Sequence, residues 1–382
     1  MKILSVFGTR PEAIKMAPLL EALGSEPGVA SVVCVTGQHR AMLDQVLDLF
    51  RIRPDMNLDV MTPDQSLNGL AARVLERIDP VLAAVAPDRV LVHGDTTTAM
   101  AAAMAAFHRR IPVGHVEAGL RTYDLAQPFP EEMNRRAIDL TADLLFAPTA
   151  HAKANLAAER LPGRIVVTGN TVVDALHATL ARIRGDADLR TAIAQSVAQI
   201  APQKRIVLVT AHRREKLGPG LERLCTAILA LAARPDVAVV FPVHLNPNVR
   251  ATVLDRLGGQ PSIHLTEPFD YGHFVDMLDR AAMILTDSGG VQEEGTALGR
   301  PVLVTRDATE RPEAITAGAA RLVGTDPDRI LAAAAEILDA GEGGRAAPGA
   351  NPFGDGKASA RIVDAILGRP VAEFGAAGGG TG

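Results

Sequence analysis

An α/β fold of two tandem, doubly wound parallel sheets is what this sequence predicts, and three observations carry the prediction. Short apolar runs alternate with helical patterns from one end of the 382-residue chain to the other, as repeated βα units do. The runs are continuous rather than alternating with polar residues, which suits strands covered by helices on both faces. They also fall into two sets of six over similar lengths, and a chain this long favours two domains.

In order, the first set is 3–7, 31–36, 89–93, 113–116, 144–147 and 165–168. ILSVF stops at Gly8, which permits a tight turn, and Pro11 then fits the first turn of a helix. RVLVH runs into GDTTT, VGHV into EAG and IVVT into GN, so turn-forming residues close these runs. The second set is 206–210, 238–243, 263–266, 283–286, 302–305 and 320–323. The domain boundary is expected near 168–171, before a helix over 172–183. Residues 1–169 would form the first domain and 170–358 the second. Residues 341–356, rich in Gly, Ala and Pro, read as a loop, 359–367 as a short helix, and 368–382 as a disordered tail.

Composition excludes several classes. A formal charge of −5 gives no basic field for a phosphate backbone, so nucleic-acid binding is not expected. Two cysteines, Cys34 and Cys225, exclude a disulfide framework and any Cys-rich metal site. The opening MKILSVFGTRPEA has too short an apolar stretch for a signal peptide, and no run approaches the roughly 18 apolar residues of a membrane helix. The expectation is a cytoplasmic protein. Only six of its 39 basic residues are lysines, so a lysine inside a motif needs a reason.

Tandem sheets of this kind create a cleft between the carboxyl ends of their strands, where ligands of open α/β sheets bind. GTRPEAIK follows the first strand, with Arg10 and Lys15 flanking a turn whose amides suit an anion. Neither G-x-G-x-x-G after a strand nor a P-loop occurs, so a nicotinamide or P-loop site is not expected. VHGDTTTAM puts Asp95 at a strand end, GHVEAGLR does the same for Glu117, and QPFPEEMNRR adds Glu131 and Glu132. Asp95 or a threonine behind it would also serve as an ordinary helix cap. Several acids converging on one cleft edge suit proton transfer with split pKa values. Binding of Mg²⁺ or Ca²⁺ is the rival reading.

The second half offers TAHRREKLG with His212, Arg213 and Arg214, and PVHLNPN with His244. In LTDSGGVQEE, Ser288, Gly289 and Gly290 would form a turn with exposed amides at a helix start, followed by Glu293 and Glu294. TERPE adds Arg311. One nucleoside-diphosphate site would use the His212, Ser288 and Arg311 segments together. An N-capped helix is the plainer reading of the Ser288 turn alone.

GTRPEAIKMAPL, TGQH, VHGDTTTAM, GHVEAGLRT, PFPEEMNR, TGNTVVDAL, TAHRRE, PVHLNPNV, LTDSGGVQEE and TERPEA, in this order, resemble the non-hydrolysing UDP-N-acetylglucosamine 2-epimerases. The resemblance runs from Lys2 to Leu367. It implies a GT-B-like architecture: two Rossmann-like, doubly wound domains with the active site in the cleft between them and the C-terminal helix returning to the first. Carried over by position, Asp95, Glu117, Glu131 and His212 are the catalytic residues. Arg10, Lys15, Phe274, Ser288, Gly289, Gly290, Glu294 and Arg311 are substrate-binding. Phe269 stands where many relatives have Gln or Leu. Some members bind a second UDP-N-acetylglucosamine as an activator near the segment matching Gln38-His39-Arg40; Ala41 and Asp64 differ from the Gln and Arg usual there.

The activity implied is C2 epimerisation between UDP-N-acetylglucosamine and UDP-N-acetylmannosamine without cofactor or metal, feeding polysaccharide pathways, by a homodimer. The route implied is loss of UDP and the C2 proton, then re-addition through a 2-acetamidoglucal. An epimerase of another UDP-sugar, such as a diacetamido uronic acid, or a GT-B glycosyltransferase, is the alternative. The low aromatic content, 3% with no Trp, offers no evident acceptor-docking patch for the latter.

Overall fold

The computed structural model describes residues 1–37, 40–62, 64–197, 200, 204–211, 218–244, 246–341 and 351–375. In the first half the strands are β1 (Lys2–Phe7), β2 (Ala30–Val35), β3 (Met56–Asn57), β4 (Arg89–His93), β5 (Val113–Val116), β6 (Leu144–Ala147) and β7 (Arg164–Val167). In the second half they are β8 (Arg205–Thr210), β9 (Val237–Pro242), β10 (Ile263–Thr266), β11 (Ala281–Thr286), β12 (Val302–Val304) and β13 (Ala320–Leu322). Their orders are β3-β2-β1-β4-β5-β6-β7 and β10-β9-β8-β11-β12-β13, every pair parallel. The α/β architecture of two parallel sheets is therefore as expected. The two-residue β3 was not, because a pair of residues beside β2 leaves no apolar run to read.

Each sheet reverses its strand order once, between β1 and β4 and between β8 and β11. Diverging connections leave a crevice at such switch points. The turns after β1, β4 and β11 therefore occupy the ligand-binding end of their sheets. Each unit has its own core. In the first, Val6, Val90, Val92 and Ile78 pack with the alanine-rich helix Thr97–His108; in the second, Val207, Phe241, Leu285 and Ile228 pack together.

The chain divides into Met1–Ala175 with Phe353–Gly382, and Leu176–Pro352. The division lies inside the helix Thr171–Gly185 rather than before it, because its first turn is held in the first unit. There Asp174 accepts the Ser359 and Ala358 amides at 2.8 and 3.2 Å, capping the helix Ala358–Ile366. That helix rests on the helix Arg10–Ser25. Residues 368–375, expected as part of a loose tail, are tied down. The Phe374 amide donates to the Val167 carbonyl at 2.9 Å, and Lys153 pairs with Glu373 at 2.7 Å. Neither tie is legible in the sequence, because each joins the segment to residues about 200 positions earlier.

Candidate functional site

In the first unit the turn after β1 is built by a capping box. Thr9 caps the helix Arg10–Ser25, and the Glu12 side chain reaches back to the amides of Gly8 and Thr9 at 3.0 and 2.7 Å. Gly8 is required because any side chain there would run into Thr36. Glu12 also accepts from the Thr96 hydroxyl at 2.6 Å, joining the turn after β1 to the turn after β4. Burial raises the Glu12 pKa, and these hydrogen bonds oppose the rise.

Lys15, one turn into that helix, is buried and ion-paired with Glu117. Glu117 follows β5 at φ 68°, a left-handed conformation that costs a non-glycine residue about 1–2 kcal/mol. The Asn170 side chain donates to the same Glu117 oxygen at 2.9 Å, while His93 at the end of β4 lies 3.7 Å from the other. Burial drives the His93 pKa down to about 3, so His93 meets Glu117 as a neutral ring.

Asp95 begins the turn after β4. Its carboxylate meets Arg135 at 2.7 Å, and its carbonyl accepts from the Asn134 side chain at 2.9 Å. Loss of solvation pushes Asp95 up to about 6; Arg135 and Lys15 pull it down, and Glu117 and Glu131 add to the rise. Glu131 opens the helix Glu131–Thr141, preceded by cis peptides at Gln127–Pro128 and Phe129–Pro130. Its neighbour Glu132 is wholly buried and accepts the amides of Thr122 and Tyr123 at 3.0 and 3.1 Å, which makes it a clamp for the preceding loop.

In the second unit Ser288 is the N-cap residue of the helix Gly289–Ala297, but its side chain makes no capping bond. Arg311 lies against Gly289, where a Cβ would strike its guanidinium. Arg311 is held there by Glu293 and Glu310 at 2.6 and 2.7 Å. Among the described residues, no atom beyond the neighbouring backbone of its own helix lies within 4 Å of where a Gly290 side chain would begin. The result is a helix start with sterically open amides beside a cation, a combination suited to an anion. Glu294 is buried and accepts from the Tyr271 hydroxyl at 2.9 Å. Phe274 lies one turn along the same helix, Tyr271–Arg280, and is half-buried. His244 is exposed and accepts the Asn246 amide at 3.1 Å, so it belongs to the turn before the helix Pro247–Leu257.

The structure thus brings Arg10, Lys15, Asp95, Glu117 and Glu131 to one end of the first sheet. Ser288, Gly289, Gly290 and Arg311 meet at one end of the second. His212, Arg213 and Arg214 lie outside the described residues, as do Gln38 and His39. Sequence reading missed His93, Asn134, Arg135 and Asn170. The last three share a signal, polar side chains at buried positions of otherwise packed helix starts. Among the described residues no group of three or more His, Cys, Asp or Glu is placed to hold a metal ion. No helix among them is long and apolar enough to cross a membrane.

A profile of the UDP-N-acetylglucosamine 2-epimerases matches residues 21–367, nearly the whole chain. The chain belongs to that family. It is 53% identical over 372 residues to a probable UDP-N-acetylglucosamine 2-epimerase of Ralstonia nicotianae, which covers 96% of this chain and 98% of that one. The UDP-N-acetylglucosamine 2-epimerase of Escherichia coli is 51% identical over 369 residues, again covering 96% and 98%. Among solved structures, the Neisseria meningitidis enzyme bound to UDP-N-acetylglucosamine superposes with a TM-score of 0.90 at 46% identity, covering 97% of this chain and 100% of that one. The epimerase family is one of isomerases, and the resemblance read from ten sequence segments holds at full length.

Proposed function

We propose that this chain interconverts UDP-N-acetylglucosamine and UDP-N-acetylmannosamine by eliminating and re-adding UDP. The observation that carries the reading is the set of carboxylates gathered at one end of the first sheet, one of them, Asp95, with a pKa pushed up to about 6. A carboxyl that titrates near neutrality serves as base in one direction and acid in the other. A base removes the C2 proton while the C1–O bond to the β-phosphate breaks, leaving a C1=C2 double bond and UDP. UDP oxygen then re-adds to C1 as an acid delivers a proton to the opposite face of C2. Two faces call for two groups, and Asp95 and Glu131 are our assignments. Glu117, already engaged by Lys15 and Asn170, positions substrate or supports a base.

Negative charge developing on the departing phosphate calls for cations and fixed amides. The reading assigns that task to Arg10, His212 and the Ser288-Gly289-Gly290 turn with Arg311, and nucleotide contacts to Phe274 and Glu294. The enzyme works without cofactor or metal, in the cytoplasm with its nucleotide sugars, supplying polysaccharide synthesis. We further assign it a homodimer. Support for this comes from Phe107, Met133 and Leu140, exposed on two helices that pack together.

Incubation with UDP-N-acetylglucosamine in D₂O, followed by proton NMR, tests the activity. Appearance of UDP-N-acetylmannosamine carrying deuterium at C2 is expected. Free UDP with N-acetylmannosamine would mean a hydrolysing enzyme, and unchanged substrate would move the reading to another UDP-sugar or to a glycosyltransferase. Asp95→Asn and Glu131→Gln should each lower kcat at least about 100-fold while UDP still binds.

A further inference from the structure

We propose that His115 is a positioning residue for Asp95, fixing from within the sheet the backbone turn that aims its carboxylate; this rests on the epimerase reading above. His115 lies on β5, wholly buried. One ring nitrogen, Nε2, is 2.7 Å from the Gly94 carbonyl, and the other, Nδ1, is 2.6 Å from Asp139 Oδ1. The second Asp139 oxygen takes Arg121 Nη2 at 2.7 Å, and Arg121 reaches on to Glu159 at 2.7 Å. Both Arg121 and Asp139 side chains are fully buried. A chain of paired groups therefore ends on one backbone carbonyl, immediately before Asp95.

That carbonyl sits where the chain swings out of β4. Gly94 adopts φ 65°, and its amide donates to the Val116 carbonyl at 2.9 Å. Strand β5 thus grips Gly94 twice, by a backbone acceptor and by the His115 ring. The helix Glu131–Thr141 completes the hold. Residues 131, 134, 135, 138 and 139 share one helical face. Asn134 takes the Asp95 carbonyl, Arg135 takes its carboxylate, and Asp139 backs His115. The Gly94 amide and the Asp95 carbonyl, on either side of the Gly94–Asp95 peptide link, are thus each held, and the carbonyl of the link itself meets His115.

Removing that donor leaves a buried carbonyl unpaired and the peptide plane able to rotate. A displacement of about 1 Å in a reacting group is enough to cost on the order of 100-fold in rate. Binding of the nucleotide, assigned to other residues, should not change. A purely structural role, in which His115 serves only to hold Asp139 in place, predicts something different. Two substitutions separate the roles, because an asparagine amide reaches as far as Nδ1 and a glutamine amide as far as Nε2. His115→Asn keeps a donor for Asp139 and leaves Gly94 without one; His115→Gln does the reverse.

Wild-type exchange in D₂O is measured first, so that failure of the epimerase reading appears there and nowhere else. We expect His115→Asn to lower kcat at least about 30-fold with KM and UDP affinity within about twofold, and His115→Gln to recover to within about fivefold of wild type. A readout independent of turnover is the ¹³C titration of the Asp95 carboxyl, which faces Arg135, Lys15, Glu117 and Glu131. In His115→Asn its midpoint should rise as the carboxylate moves off Arg135, and in His115→Gln it should stay. Equal kcat in both variants, an unmoved Asp95 titration, or loss of UDP binding in both would overturn the assignment.

Discussion

Arg135 decides how much of Asp95 is available as a base at neutral pH. Burial lifts the Asp95 carboxyl to about 6, and Arg135 is the main group holding it from rising further. The folded chain therefore binds more protons than the unfolded one between the ordinary carboxylate value of 3.8 and about 6. This contribution lowers stability as pH rises through that window. Asp95→Asn should then raise the melting temperature at pH 7.5, with the gain gone below about pH 4. In kcat/KM, the ionisation of a free-enzyme base appears as a limb near pH 6. Arg135→Gln should move that limb upward by about one unit, since an opposing charge at hydrogen-bond distance is lost. A limb that stays, or moves down, would remove Arg135 from this role. Asp95 and Glu117 were legible because acids at successive strand ends form a pattern along the chain, and Glu131 because it opens the helix that follows. His93, Arg135 and Asn170 were not, because their meaning is a contact with one of those acids across 24, 40 and 53 residues of sequence: His93 to Glu117, Arg135 to Asp95, and Asn170 to Glu117.

At the scale of elements, the helix start at Gly289-Gly290 separates room for a ligand from room for the protein. Gly289 is pressed by Arg311, so Gly289→Ala must dislodge a guanidinium held by two glutamates and should destabilise by about 1–3 kcal/mol. Gly290 has open space, so Gly290→Ala should leave the melting temperature unchanged or slightly higher. The same methyl group should weaken UDP binding at least about tenfold if the nucleotide sits on those amides. Calorimetric titration with UDP beside thermal melting reads both effects, and unchanged affinity in Gly290→Ala would take the diphosphate elsewhere. Twelve strands were readable from apolar runs bounded by turn residues. The capping box at Thr9 and Glu12 stands in the sequence only as a Thr-x-x-Glu spacing, and that spacing does not show the further bond by which Glu12 reaches Thr96.

On the scale of the whole molecule, the proposed homodimer should give a particle of about 80 kDa by light scattering, twice the 40.1 kDa chain. A particle of 40 kDa would contradict it. Phe107→Glu with Leu140→Glu, both exposed, should shift the population toward the monomer if their helices form the contact. The two-sheet plan was visible in the spacing of strands, and the division between units falls between Ala175 and Leu176, a few residues beyond the expected 168–171. Thr171–Gly185 is one uninterrupted helix by pattern, and only the capping of a distant segment by Asp174 assigns its first turn to the first unit.

The return of Phe353–Gly382 to the first unit makes residues 176–352 an insertion within it. Growth of the chain on the ribosome consequently reverses the order of completion. The unit that starts synthesis lacks its closing helix until the last residues emerge, while the inserted unit is already whole. Until then the face of the helix Arg10–Ser25 that receives Ala358–Ile366 stays bare, so the nascent first unit carries apolar surface that the finished chain covers.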